Sequence, residues 1–523
     1  MRQVPVLVVG GSLTGLSAAL FLGMHGVPAR VVERRPDVLA HPRLRGLMPR
    51  AVELYRQAGV EGAITAVCPP GGPAGRLVSV HARTLADAHE LLGEPGVDTG
   101  PVADPPSPCD FVPIGQHELE TVLAERVRAA GTELSFGTEL TSLDQDPDGV
   151  TARLRGPDGA EEAVRARYVI AADGASSGIR RRLGIGTDGP GTLFRMATMH
   201  LRADLAPALR GRPVGMAYLD RPAPGTTLGP LDSTGRHWFF ATSVPPGSAP
   251  PDPARWVREA TGLPGLEVEL LEQIPGAERV FTFPVGARVA ERYTAGRVFL
   301  AGDAAHLMPP TGTLGGLTGI EDAHNLAWKL ALVLSGGAGP GLLSTYESER
   351  RPVAERNMRQ AYARGRTRWR LPGPGTDEAI LPSDTLMYGT RYRSPAVHGA
   401  RAGDPPTAPV PAGGAPGTRA PHLFVSRDAD AAVSTLDLYG TDLVVLVGPD
   451  GDGWADAALR TARLLSVPVE VYHLDAELAA PHGIGARGAL LVRPDGYVAW
   501  RAEAGSAAAE RDFERMLRAV LAR

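Results

Sequence analysis

The stretch VPVLVVGGSLTGLSAALFLGMHGVPARVVER, residues 4–34, decides the fold. Val4–Val9 is a continuous apolar run, as expected of a strand buried on both faces. Leu16, Leu20 and Met24 recur at helical spacing, which predicts a helix from about Thr14 to His25 with Gly26 as its stop. Ala29–Glu33 reads as the next strand. Gly10-Gly11-Ser12-Leu13-Thr14-Gly15 lies between the first strand and the helix. A dinucleotide fingerprint needs a glycine for the tight turn, a small residue where the backbone nears a diphosphate, and a glycine where helix meets strand. Ser12 takes the middle glycine's place; it is small, and its hydroxyl can donate to a phosphate. The helix N-terminus adds free N–H groups and the positive end of a dipole. Glu33 closes the second strand, where a carboxylate accepts from the ribose hydroxyls and disfavours a 2′-phosphate. The unit reads as a site for FAD or NAD, with a tight turn that binds nothing as the alternative.

The rest of the composition narrows the class. A chain of 523 residues suggests about three domains at ~150 residues each. A hydrophobic share of 43% and a charged share of 21% are those of a soluble globular protein. The net charge of −4 offers no basic field for nucleic acid or an acidic membrane. Gly10-Gly11-Ser12 and Gly15 interrupt the apolar N-terminus, and no apolar run reaches the ~20 residues of a membrane span. Cys68 and Cys109 form neither a CxxC pair nor part of a metal cluster, so no disulfide framework or metal site is expected, and the cytoplasm is the expected location.

Further along, Leu44–Gly59 and Gln116–Ala130 read as helices, and the Pro/Gly-rich stretch Pro69–Pro108 holds short strand-like runs such as RLVSVHAR. Asp148-Gly149 and Asp158-Gly159 mark hairpin turns, and residues 185–285 are strand-like and turn-rich. GRVFLAGDAAH is a strand running into a turn, and GIEDAHNLAWKLALVLSG is a helix. A Pro/Gly/Ala-rich stretch from about Ser394 to Pro421 reads as a linker. The tail beyond it alternates strands and helices, with a hairpin in GALLVRPDGYVAWRA and a final helix Ala507–Leu521.

Asp303, at the end of its strand, can hold a ribityl or ribose hydroxyl; a helix N-cap is the alternative. Pro309-Pro310, the glycines from Gly312 to Gly316 and the helix after them offer N–H groups to an electron-rich ring, as a reduced flavin would require. Asp173-Gly174 with Arg180 is, alone, only a turn after a strand.

Taken in order, GGSLTG…VVER, IAADGASSGIRR and RVFLAGDAAHLMPPTGTLGGLTGIEDAHNLAWKLA resemble the signatures of the single-component FAD-dependent aromatic hydroxylases, the phenol hydroxylase-like family. HPRLRGLMPRAVELYRQAGV is most similar to the aromatic polyketide hydroxylases of the anthracycline, angucycline and tetracycline type. The resemblance implies an α/β fold with a discontinuous Rossmann-type FAD-binding domain (1–72, 105–182 and 280–395) and an inserted sheet-rich substrate-binding domain (73–104 and 183–279). It also implies a linker at 396–420 and a thioredoxin-like domain at 421–523, which has no cysteine and so no thiol exchange. The implied reaction is hydroxylation of a phenolic polycyclic substrate with NAD(P)H and O2, through a flavin C4a-hydroperoxide, with NAD(P)H bound only transiently. Baeyer–Villiger insertion, inactivation of an antibiotic, and an FAD-binding protein with altered redox chemistry stay open, as does a homodimer.

Residue by residue, the resemblance implies that Gly10, Gly11, Ser12, Leu13, Thr14 and Gly15 meet the diphosphate and Glu33, followed by Arg34, the ribose. Arg43 lies near the phosphates or the flavin edge and is a candidate for positioning substrate. Gln116 touches FAD, Leu140 passes the adenine, Asp303 binds the ribityl chain, and Pro310, Gly315, Gly316 and Leu317 line the isoalloxazine. Ser12 and Leu317 depart from the family pattern; the second stands where many members have asparagine. Tyr218 is the catalytic candidate of the middle region, an ordinary sheet tyrosine being the alternative, and His237 and Arg236 read as turn residues. His306 and His324 read as structural.

Overall fold

The computed structural model describes residues 1–38, 44–68, 78–88, 105–232, 234–244, 252–274, 276, 278–369, 378–400, 403–426, 433–506 and 508–523. β1 (Arg2–Val9), α1 (Leu13–Met24) and β2 (Ala29–Glu33) form the opening βαβ unit, with β1 and β2 parallel. Val6 to Val9 are buried throughout, with no alternation, because the sheet is covered on both faces. α2 (Gln116–Ala129) returns the chain to the parallel strand Glu133–Phe136 beside β2. β3 (Glu161–Ala171) lies parallel to β1 on its other side, and Val298–Leu300 lies parallel to β3. The sheet thus runs Thr294–Ala295, Val298–Leu300, β3, β1, β2, Glu133–Phe136. Distant segments meet in one sheet, which makes its crevice a product of the whole chain rather than of one motif.

The second sheet is built mainly from β4 (Thr187–Arg202), β5 (Val214–Leu219), β6 (Thr226–Pro230) and β7 (His237–Val244), in the spatial order β4, β7, β6, β5. Strands Val280–Ala290 and Val78–Ala82 flank them. Directly opposed residues share a face of a sheet. One face carries Trp238, Phe240, Met199, Leu201, Leu228 and Ala217, which form a separate core with Trp256 and Val257 of the helix Pro253–Thr261. The opposite face carries Phe239 against His200 and Gly229, and Tyr218 against Thr227 and His81. On that face Tyr218, Phe239, Phe194 and Phe283 pack on the core of the first sheet.

Two long helices, α3 (Leu314–Ser335) and α4 (Thr345–Trp369), close the first sheet. α3 begins at Leu314, ahead of the GIEDAHNL stretch that reads as helix, so Gly315 and Gly316 are helical as well as Gly319. Glycine there costs helix propensity of about 1 kcal/mol per residue, and close packing against Thr14 and Leu44 is what demands it. The expected helix Leu44–Gly59 is shorter, Pro49–Gln57, because Pro49 is suited to a first turn and not to a helix interior. No helix among the described residues is long and apolar enough to cross a membrane.

The tail runs strand Leu443–Val447, helix Asp452–Leu465, strand Val469–His473, strands Ala489–Val492 and Val498–Ala502, helix Ala509–Val520. The first two strands are parallel and the last two antiparallel, the arrangement of a thioredoxin core. The 396–420 stretch, expected as a linker, is instead packed: Ala396, Val397, Ala408, Thr418, Arg419 and Ala420 are buried. The tail is tied to the rest of the chain by buried charges. Arg493 donates to Glu349 of α4 through Nη1 (2.6 Å) and Nη2 (2.9 Å), with all four groups of the network buried. Lys329, the only lysine in the chain, donates to the same carboxylate at 2.7 Å, and Arg493 also binds Asp495. Burial alone would raise the Glu349 carboxyl, yet Arg493 and Lys329 hold it below the usual carboxylate range. Arg419 likewise joins Glu53. Sequence periodicity does not show these links, since each pairs residues far apart in the chain.

Removing one member of such a network leaves charge buried without its partner. Arg493→Met is expected to cost about 3–5 kcal/mol of unfolding free energy, measured by urea denaturation, whereas a loss below about 1 kcal/mol would mean the tail is not held this way. A second expectation concerns His324, whose ring meets the edge of Phe21 at 4.7 Å. Burial pushes it down from 6.5 to about 3. Below pH 6.5 the unfolded chain binds a proton that the folded chain refuses, so stability falls as the pH drops from about 6.5 towards 3. Between pH 6.5 and 5 this amounts to at most about 2 kcal/mol, and His324→Leu should flatten the pH dependence by that much; identical pH profiles would contradict it.

Candidate active site

The glycine turn is sterically committed. Gly10 has φ +110°, and a Cβ there would overlap the Ala172 carbonyl of the strand end beside it. A Cβ on Gly11 would lie 2.7 Å from the Glu33 Cβ, and one on Gly15 would overlap the Gly10 carbonyl oxygen. Glu33 is buried and accepts from the Gly11 N–H at 2.8 Å and the Arg35 N–H at 3.0 Å. Its carboxylate therefore faces the turn, and Arg34 beside it is exposed.

Ser12 is not free to bind phosphate. Its hydroxyl donates to Glu120 at 2.5 Å, and the same carboxylate oxygen accepts from the Leu13 N–H at 2.9 Å and from Gln116 at 2.7 Å. Glu120 thus serves the first free N–H of α1, while those of Thr14 and Gly15, in the first turn, have no intrahelical acceptor. Sequence reading missed Glu120; its position one turn after Gln116 on α2 was the available signal. Leu140 is half-buried and lies near the Glu33 end of β2, where the Thr138 N–H meets the Glu33 carbonyl at 2.9 Å.

The turn meets the second motif through Thr14. A Cβ on Gly302 would overlap Thr14 Oγ1, and one on Gly319 would lie 2.6 Å from it. Gly302, Asp303 and Ala304 form a short 3-10 turn on which Asp303 is exposed. Behind it, Asp322 accepts from the Gly302 N–H at 3.2 Å, pairs with His306 at 2.8 Å and accepts from Arg350 at 2.9 Å. Burial by itself would raise the Asp322 carboxyl, but His306 and Arg350 hold it below the usual range. This buried set fixes the turn from behind, and His306 belongs to that support. Asp173 gives one oxygen to the Ile179 N–H at 3.1 Å, while Oδ1 is buried without a partner beside the Gly10 turn.

The chain enters α3 through Gly312 (φ +72°) and Thr313 (φ +58°). A left-handed threonine is strained, as backbone at functional sites often is. The bend presents the N-terminus of α3, with Gly315 and Gly316, beside exposed Pro310. Leu317, by contrast, is buried in the core, so it offers a bound ring only backbone. Leu44 packs on Gly316, where an added Cβ would sit 3.2 Å from its Cδ1.

Leu44, on Gly316, and Arg45, over Phe239, link this helix end to the Tyr218–Phe239 face of the second sheet. Tyr218 is half-buried and meets His81 at a tilt, 4.9 Å between centroids. Trp369, at the end of α4, meets Phe194 edge-on at 5.8 Å. Arg236 lies in the turn before β7 and His237 opens that strand, where it pairs with Asp232 at 2.5 Å. Arg43, named as a positioning candidate, lies outside the described residues.

The glycine cradle, the Glu33 carboxylate, the orphaned Asp173 oxygen and the α3 N-terminus fit an extended FAD with its adenosine end at β2 and its ring at α3.

The comparisons agree. The FAD binding domain family model matches residues 3–361, and the model for the C-terminal region of aromatic-ring hydroxylases matches 413–523. The chain is 40% identical to the aklavinone 12-hydroxylase of Streptomyces purpurascens, covering 100% of this chain and 99% of that protein. It is 39% identical to the tetracenomycin A2 monooxygenase-dioxygenase of Streptomyces glaucescens, covering 100% and 97%. Among solved structures, a ternary complex of aklavinone-11 hydroxylase with FAD and aklavinone aligns at a TM-score of 0.89 and 37% identity, with 100% of both chains covered.

Gly15→Ala forces a Cβ into the Gly10 carbonyl, and is expected to weaken FAD binding by about tenfold or more, equivalent to ~1.4 kcal/mol or more. The flavin-to-protein absorbance ratio after gel filtration measures it, and unchanged occupancy would contradict the cradle.

Proposed function

The chain belongs to the FAD-dependent aromatic-ring hydroxylases and is a flavoprotein monooxygenase, and on that premise we propose that it uses NAD(P)H and O2 to hydroxylate a phenolic ring of an aromatic polyketide in the cytoplasm. The observation that carries the reading is the linkage of two surfaces through Leu44 and Arg45. On one side stands the glycine-lined N-terminus of α3. On the other stands a sheet face bearing Tyr218 and Phe239, whose reverse face is a sealed core. A flat polycyclic ligand fits between such surfaces, since stacking on aromatic side chains recognises flat rings without demanding one pattern of substituents.

Bound FAD supplies the redox chemistry between NAD(P)H and O2. The chain's own residues hold and orient. In this reading the Gly10–Gly15 turn and the first N–H groups of α1 carry the diphosphate, with Ser12 and Gln116 acting through Glu120. Glu33, with Arg34 and Leu140 near it, holds the adenosine end, and Asp303 the ribityl chain. Pro310, Gly315 and Gly316, with the Leu317 backbone, border the ring, where the α3 dipole favours negative charge as the ring is reduced. Tyr218 orients the substrate ring from the sheet.

Hydroxylation and Baeyer–Villiger insertion differ in where the oxygen goes. With a panel of tricyclic and tetracyclic hydroxyquinones, NADPH oxidation should accelerate and the product should gain one atom of labelled oxygen from O2 as a ring hydroxyl. A lactone oxygen would favour insertion, and indifference to every phenolic ligand in a flavin-loaded protein would overturn the hydroxylase reading.

A further inference from the structure

Arg45 follows Leu44, the residue that packs on Gly316 at the α3 N-terminus. It points the other way, into the second sheet. Its Nη2 donates to the Pro230 carbonyl at 2.5 Å, and its guanidinium lies 4.7 Å over the Phe239 ring. Nη1 is buried and has no hydrogen-bond partner. Around it are Gly229 and Met216: an added Cβ on Gly229 would lie 3.4 Å from that nitrogen. Among the described residues no carboxylate pairs with Arg45. Burial pushes it down to about 10, with no charged neighbour contributing, so it is still a cation at neutral pH. What faces it is Phe239 from β7, Gly229 and Pro230 from β6 and Met216 from β5, none of them titratable; His200 of β4 lies beyond Phe239.

A buried guanidinium that only clamps two elements together would have its donors satisfied. Arg45 spends one donor and one ring face on the sheet and keeps another donor buried and unused, on the face that carries Tyr218. We propose that Arg45 selects the ionised substrate: its free Nη1 receives one oxyanion, a phenolate or enolate oxygen of the polycyclic ligand, while Phe239 holds the guanidinium flat. This rests on the functional reading above and deepens it. With Nη2 on the Pro230 carbonyl, Nη1 is the buried nitrogen left to receive a single ligand oxygen, whereas a phosphate takes a bidentate fork of two nitrogens. The proton lost from the phenol goes to solvent, and the ligand arrives at the site electron-rich.

The test is spectroscopic. A dihydroxyanthraquinone whose ionised form absorbs beyond the flavin bands is titrated with pH, free and bound to the FAD-loaded protein. Binding to the wild type should lower its apparent pKa by about one unit or more, a tenfold or greater preference for the anion. Its O-methylated analogue, which cannot ionise at that oxygen, should bind at least about tenfold more weakly. Arg45→Gln should abolish the pKa shift and equalise the two ligands, and Arg45→Lys should restore part of the shift. FAD content and melting temperature report whether each variant is folded. If Arg45→Gln does not fold, the wild type decides: a bound ligand that stays neutral, or equal affinity for the O-methyl analogue, overturns the assignment while leaving the hydroxylase reading intact. Failure of the wild type to bind any hydroxyanthraquinone overturns both.

Discussion

The site depends on how closely two backbone segments approach the side chain of Thr14. The turn at Gly302 and the start of α3 at Gly319 both press on that one residue of α1, and each contact point is a glycine because a Cβ would collide. Packed interiors do not yield to such overlaps. The contact therefore fixes the N-terminal turns of α1 and α3 relative to each other, each with the positive end of its helix dipole. An extended, doubly charged cofactor with an electron-accepting ring is what such a pair of helix ends suits.

The surrounding structure keeps those helix ends rigid by polar means that are unusual in being buried. Asp322, His306 and Arg350 brace the Gly302 turn from behind, and Glu349, Lys329 and Arg493 tie α4 to the tail. Buried ion pairs add little net stability over apolar packing, but they resist rearrangement because no partner can leave alone. A tail that shares the thioredoxin arrangement yet has no cysteine is thus an abutment, holding the first turns of α4 at Glu349.

Much of this is legible in the sequence. The opening unit is local: apolar run, glycine turn, helical spacing and Glu33 lie within thirty-odd residues, and periodicity reports local order well. The tail's strands and helices follow for the same reason. What escapes is non-local. Ser12 looks available for phosphate until Glu120, on another helix, takes its hydroxyl. Gly316 looks like part of a loop because glycine is a poor helix former, and its contact with Leu44 is what explains its place in α3. The 396–420 stretch looks like a linker because its composition suits neither helix nor sheet, yet it packs as irregular chain held by Arg419 and its neighbours. Arg45 carries no sequence signal beyond its charge, since its significance lies in the missing partner.

A crystal structure of the flavin-loaded protein tests the central claim most directly. The account requires the diphosphate against the Gly10–Gly15 turn, the isoalloxazine at the N-terminus of α3, and its open face towards Tyr218 and Phe239. A ring placed away from Gly315 and Gly316, or a diphosphate that leaves the α1 N-terminus empty, would contradict it.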